Sequence, residues 1–458
     1  MIFLFVLCLI IPANFDVAGL NLSTTRLFVL LALIPLLIQW VSARAGGILA
    51  VDVLILFHAV WVVIALVVNH GMPRFAYGGM LLAETLGGFL IGRMLIRSAS
   101  DYIGLFKLLL SVLLVLLPFA FYELVSNKAI MQDLSRMILG SGHNDVNHHP
   151  RMGFYRVQSV MQHPILFGVF CSTTVANAYF IWSYSLPAAT IRMGIALTAT
   201  FTSLSSGALL ASVLQILMIG WGKVTGNAWK VLAMGTAGLY VFLSIASNRG
   251  PVVLLIETLT FNSGTGWTRI HIWRHGIDDV MRSPVFGIGL NDWTRPFWLA
   301  DSVDNFWLLT AMRYGVVGWS FLAGAFIMQG YKVVSAKNLT DYEKQLRIGY
   351  MIGLISLSMS LATVHIWGPT YVLLLAYLGA GSWFYTRPDS APGALDSDTD
   401  ADAVDGARQP AKPRMAMGQP QYSRMRSAPA ETPKTAKAPR RASPYSRTVL
   451  SDPKRRKQ

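Results

Sequence analysis

Long apolar runs separated by short polar loops fill the chain as far as residue 386, each approaching the ~20 residues a helix needs to cross a bilayer. The pattern predicts spans near 1–11, 27–41, 47–68, 76–95, 105–122, 161–182, 186–204, 208–221, 231–245, 306–328, 348–364 and 369–384. The expected architecture is all-α, a polytopic transmembrane helical bundle of about twelve spans. The run 1–11 has no basic residue before it and no small-residue cleavage site after it, so it reads as a first span rather than a signal peptide.

Two polar segments interrupt this pattern, 124–158 and 246–303. Within the second, residues 268–282 repeat with helical period. Ile270, Trp273, Ile277 and Val280 or Met281 share one side, with His271, His275, Asp278 and Arg282 opposite. Such an amphipathic helix would lie across the end of the membrane domain with its apolar face down. Ser283-Pro284 ends it, because a residue before proline leaves the helical region and proline has no N–H to donate.

Composition agrees with this pattern. Hydrophobic residues make up 53% and charged residues 13%, values that no soluble core of this length absorbs. The net charge of +15 raises nucleic-acid binding, but its placement argues against it, since the basic residues flank spans or sit in the tail. Cys8 and Cys171 both fall in apolar runs and suggest neither a disulfide framework nor a thiolate metal site. The tail, 387–458, is rich in Pro, Ala, Ser and Gly, acidic first and basic at its end. It is expected to be disordered and cytoplasmic, beside a membrane domain covering 1–386.

Arg44, Arg93, Arg97, Lys223, Lys230, Lys332, Lys337, Lys344 and Arg347 fall on one side of the predicted bundle, which the positive-inside rule makes cytoplasmic, with both termini. The two polar segments then face outward, to the periplasm in a bacterium. They nevertheless hold Arg136, Arg151, Arg156, Arg249, Arg269, Arg274, Arg282 and Arg295. Planar guanidinium groups suit bidentate phosphate binding, so this outer set fits an anionic ligand.

Three stretches carry a family resemblance. YRVQSVMQHPILFG at 155–168 places an arginine before a His-Pro that enters a helix, and SLSSGALLAS at 203–212 is a small-residue turn. The third, 267–318, runs R-x-x-x-W, then S-P-x-F-G-I-G, then a polar pair before an apolar span. Together they resemble the O-antigen ligase-related superfamily of bacterial membrane glycan ligases and polymerases. The resemblance implies an inner-membrane glycosyltransferase working at the periplasmic face without nucleotide, metal or other cofactor. Its donor would be a polyprenyl-diphosphate-linked glycan. Its acceptor would be a hydroxyl on a glycan or on lipid A-core, in O-antigen or exopolysaccharide assembly. Membrane lipid and other polysaccharide-assembly proteins complete the expected partners. Many ligases of the family carry His-Asn where this chain has Asp304-Asn305, and Ser-Arg where it has Ser205-Ser206. Both departures look more like the polymerases.

The residue chemistry suits that reaction. A departing lipid diphosphate needs fixed cations, and an alcohol-like acceptor needs a general base within reach. Arg156 and Arg269 are the first candidates for the diphosphate, then Arg249 and Arg274; snorkelling or ion pairing would explain the same residues. Asp304 is the candidate base, although an aspartate before an apolar helix is also an ordinary N-cap. Asn305 would orient a hydroxyl or the base. His163, at the mouth of a span, and His271 are candidates that fit equally as hydrogen-bonding structural histidines. His143, Asp145, His148 and His149 lack a defined metal-ligand spacing, so a metal is not expected. Glu84, inside the fourth predicted span, reads either as functional or as a packing partner beside Gly87 and Gly88. The rivals from other classes are a polysaccharide flippase and a scaffold docking through the tail. A flippase should show paired broken spans and mid-membrane ionisable groups, for which only Glu84 and His58 come close.

Overall fold

Apolar periodicity becomes helix nearly everywhere. In a computed structural model of the chain, which describes residues 1–17, 20–43, 46–145, 150–246 and 263–386, fifteen α-helices follow one another. They are α1 (Ile2–Ile10), α2 (Thr24–Val41), α3 (Ala50–His70), α4 (Phe75–Leu95), α5 (Ala99–Ser126), α6 (Ile130–Leu139), α7 (Pro164–Ser172) and α8 (Val175–Ile181). Then come α9 (Leu186–Thr202), α10 (Ser206–Thr225), α11 (Trp229–Ala246), α12 (Ser263–Arg282), α13 (Phe306–Val334), α14 (Asp341–Ser360) and α15 (Gly368–Ala380). The tail at 387–458, Arg44, Arg249, His148 and His149 lie outside the described residues.

Each of the twelve apolar runs lies mainly in helix, but only eight helical stretches among the described residues are long and apolar enough to cross a membrane. This is a membrane protein. Four runs fall short. The 9 residues of α1 reach about 14 Å of the ~30 Å hydrocarbon core. Likewise α9 has 17 residues and α15 has 13, while α14 carries Asp341, Glu343, Lys344 and Arg347 in its first two turns. A short antiparallel hairpin, Asn14–Val17 with Leu20–Ser23, is the one sheet among the described residues; Asn14 stands opposite Ser23.

The core forms where small residues let backbones meet. On α4, Gly88 leaves only 3.2 Å between a notional Cβ and the Val372 carbonyl of α15, and Gly92 lies tighter still against Ala376. Apart from Gly368 and Tyr371, α15 is buried throughout. Without a hydrophobic drive between helices in lipid, such close contact is what holds a bundle together.

At one end of the bundle α12 lies against the start of α13. Ile270, Ile272, Gly276 and Val280 are buried, whereas Met281 is exposed, so Val280 supplies the last apolar contact. Gly276 allows the approach, since a Cβ there would sit 2.7 Å from Leu308. Below it α13 is broken at Gly315, whose φ of +73° is left-handed. The S-P-x-F-G-I-G stretch fills that break. Ile288 and Gly289 N–H donate to the Met312 and Arg313 carbonyls at 2.7 and 3.1 Å, and Val316 N–H donates to Pro284 at 2.7 Å. A broken membrane helix must have its freed groups satisfied, and here the loop does it backbone to backbone. That close approach is why the stretch needs glycine at 287.

Candidate functional site

Four local arrangements build a cavity of about 580 Å³ at this end of the bundle. Arg156 comes first. The buried Glu123 carboxylate accepts N–H bonds from Gln158 (2.8 Å) and Ser159 (3.1 Å), and Tyr155 and Val157 N–H donate to the Leu124 and Thr202 carbonyls. The strand of chain carrying Arg156 is thus pinned on both sides, and its guanidinium is buried with Nε unpartnered. Arg269, on the first half of α12, donates from Nη2 to the Ser206 hydroxyl at 3.0 Å. Ser206 opens α10 in the small-residue turn, where Gly207 lets the helix start against Thr363 and Val364.

Asp304 lies just before α13, whose first residue is held by Phe306 N–H bonds to the Leu361 and Val364 carbonyls, at 2.8 and 3.1 Å. The N-cap is not Asp304 but Asn305, whose side chain accepts from Leu308 N–H at 3.0 Å. The Asp304 carboxylate is therefore not spent on the helix, and it has no hydrogen bond among the described residues. His163 caps α7, its Nδ1 accepting from Ile165 N–H at 3.1 Å. The neutral tautomer this requires carries its proton on Nε2, so His163 can donate but is a poor base.

Arg156, His163, Arg269 and Asp304 all line the cavity, with Arg151, Arg313, Ser206 and His365. Burial pushes the Asp304 carboxyl above its ordinary value, while Arg269 and then Arg156 pull it back. Burial, then Arg151, lowers Arg156 to about 10, and burial also lowers Arg269; Asp304 opposes both. Both arginines remain charged at neutral pH. Asp292 and Asp301 also reach the wall, but Arg295 binds both at 2.5 Å. Asp304 is thus the wall carboxylate without an ion pair among the described residues, facing several guanidinium groups. Such an arrangement can hold an anion, with a carboxylate of raised pKa beside it.

No family model matches the chain, and no curated protein matches it significantly in sequence. The chemistry of the cavity therefore rests on its own residues.

Some expected members are absent from it. Arg274 is exposed and does not line the cavity; five residues past Arg269 it has turned about 140° around the helix. Asn305 is the buried N-cap of α13 and is not among the residues lining the cavity. Arg249 lies outside the described residues. His271 lies tilted against Trp267 and edge-on to Trp298, and it is not part of the wall. In the other polar segment, Asp145 pairs with Arg136 at 2.6 Å, and burial lowers His143 to about 4. No group of three metal-binding side chains occurs among the described residues.

Two wall residues escaped the reading by pattern. Arg313 sits inside an apolar span, where an arginine is itself a functional signal. His365 stands in the loop before α15, its Nδ1 buried and unpartnered, its pKa lowered to about 3 by burial and then by Arg313. It is neutral at any working pH and packs between Phe306 and Trp367.

Proposed function

We propose that the protein is a bacterial inner-membrane glycosyltransferase. It takes a glycan from a polyprenyl-diphosphate carrier and passes it to a hydroxyl acceptor at the periplasmic face, as a polymerase in preference to a ligase to lipid A-core. The observation that supports this most is the meeting of Arg156, Arg269 and Asp304, from three separate stretches, on one cavity wall. The acceptor oxygen attacks the anomeric carbon as the bond from that carbon to the diphosphate oxygen breaks. The acceptor proton passes to the Asp304 carboxylate, and the leaving diphosphate keeps the electron pair, its charge held by Arg156 and Arg269. On this reading all twelve apolar runs are membrane segments, the four short ones completed by their flanks, and both termini are cytoplasmic.

The break in α13 is a feature that transporter sites also use. Here the 284–289 loop bonds the Met312 and Arg313 carbonyls and Trp61 Nε1 bonds that of Tyr314, which weakens the flippase reading. The test is removal of the protein followed by analysis of the lipid-linked glycan. Single repeat units left on the carrier support a polymerase, full-length chains stranded there point to a ligase, and an unchanged pool of glycan overturns both.

A further inference from the structure

Next to the arginine cavity lies a second one, of about 460 Å³, between the starts of α2, α4, α13 and α15 and the second half of α3. The size suits a small ligand. The two cavities share a wall made of Leu309, Arg313, His365 and Trp367. What sets the second apart is its polarity inside an apolar bundle. Arg26 donates from Nε to Glu84 Oε1 at 2.7 Å, with the Glu84 side chain only 3% exposed, and Glu84 Oε2 has no partner among the described residues. Thr85 and Tyr371 share a hydroxyl bond at 2.9 Å. Gln162 accepts from Trp367 Nε1 at 2.5 Å and leaves its amide nitrogen without a partner among the described residues.

These groups discriminate between ligands. An acyl or polyprenyl chain would cover the Glu84 oxygen and the Gln162 amide with hydrocarbon, leaving each without a hydrogen-bond partner. A diphosphate would face the Glu84 carboxylate, and Glu84 already neutralises Arg26. A neutral ligand rich in hydroxyl groups satisfies both the acceptors and the donors, and Tyr77, Tyr371 and Trp367 offer flat faces for its C–H edges. We infer that this second cavity is a carbohydrate-binding site built around the Arg26–Glu84 pair, and that it seats the acceptor sugar beside the diphosphate site. Its role as acceptor seat rests on the proposed transfer reaction; its affinity for sugar does not. Arg313, on the shared wall, then touches both substrates.

The experiment is saturation-transfer NMR on the full-length protein in detergent, with methyl glycosides of common hexoses and N-acetylhexosamines as probes. The wild type should show saturation transfer from at least one of them. Leu81→Trp, which fills the cavity from α4 and leaves both members of the ion pair in the chain, should weaken that binding about tenfold or more. Glu84→Gln should weaken it similarly. Arg156→Ala, in the other cavity, should leave it unchanged. No signal from any probe, or equal signals in wild type and Leu81→Trp with unchanged thermal stability, overturns the inference. So does a phospholipid acyl chain found bound between α2 and α4. Glycoside binding lost in Leu81→Trp, in a protein that consumes no lipid-diphosphate glycan, keeps this site and sinks the proposed reaction. The reverse outcome, turnover whose acceptor KM ignores Leu81→Trp, sinks this site and keeps the reaction.

Discussion

Among the arginines of the two polar segments, two sets differ in ways that their sequence neighbourhoods do not show. Arg136, Arg282 and Arg295 are held by carboxylates: Arg136 by Asp133 and Asp145, Arg282 by Asp279, Arg295 by Asp292 and Asp301. All three shape loops. Arg282 also donates to Thr294 at 2.7 Å, tying the end of α12 to the loop above the cavity. Arg156 and Arg269 have no ion pair within contact distance among the described residues, and burial lowers the pKa of both. A guanidinium kept out of water without its counter-charge is costly, and it persists where a ligand supplies that charge. The basic polar segments thus hold two kinds of arginine: clamps bound to carboxylates, and cavity-wall cations with no ion pair among the described residues.

The contrast can be broken in several ways. The largest effect should come from Asp304→Asn, which keeps shape and removes the base, and from Arg156→Ala. Each should lower transfer of lipid-linked glycan in vitro by about 10² or more at normal protein levels. Gly287→Ala comes next. Its φ of +69° and its contact with the Met312 and Arg313 carbonyls leave no room for a Cβ, so thermal unfolding should report a loss of about 1–3 kcal/mol. The pH profile should be shifted more modestly. As the proposed base Asp304 must be a carboxylate, and burial raises its pKa above the ordinary 3.8. Activity is therefore complete above that raised value and lost as the pH falls through it, so the acid limb should lie at a higher pH than an unperturbed aspartate gives. The smallest effect belongs to the clamps. Arg282 is largely exposed, and its buried partner Asp279 keeps its bond from Thr294 N–H, so Arg282→Ala should change transfer by no more than about threefold.

Much of this could be read along the chain, and the shortfalls have physical causes. The helices were legible because an apolar run of membrane length can satisfy its backbone only as a helix. The span count was less so: charge at the start of α14 and the shortness of α1 are visible in the sequence, but whether neighbours compensate for them depends on packing. Arg156, Arg269 and Asp304 were reachable because each stands where a polar segment enters the bundle. Arg274 shows the limit, since one helix carries both a cavity-facing and a solvent-facing arginine. Nothing local distinguishes Asp304 from Asn305 as the cap; that choice is made when Phe306 N–H finds the Leu361 and Val364 carbonyls. Glu123 was hidden for the same reason. A carboxylate at the end of a span looks like a solvated end until the partner segment, 155–161, folds back over it.

On the proposed mechanism Arg156 and Arg269 together hold the diphosphate. The most direct test is the affinity of the purified protein for a polyprenyl diphosphate, measured in the wild type, in Arg156→Ala/Arg269→Ala and in Arg282→Ala/Arg295→Ala. The first double variant should bind about 10² weaker or worse, and the second should match the wild type. Equal losses in both, or none in the first, would contradict it.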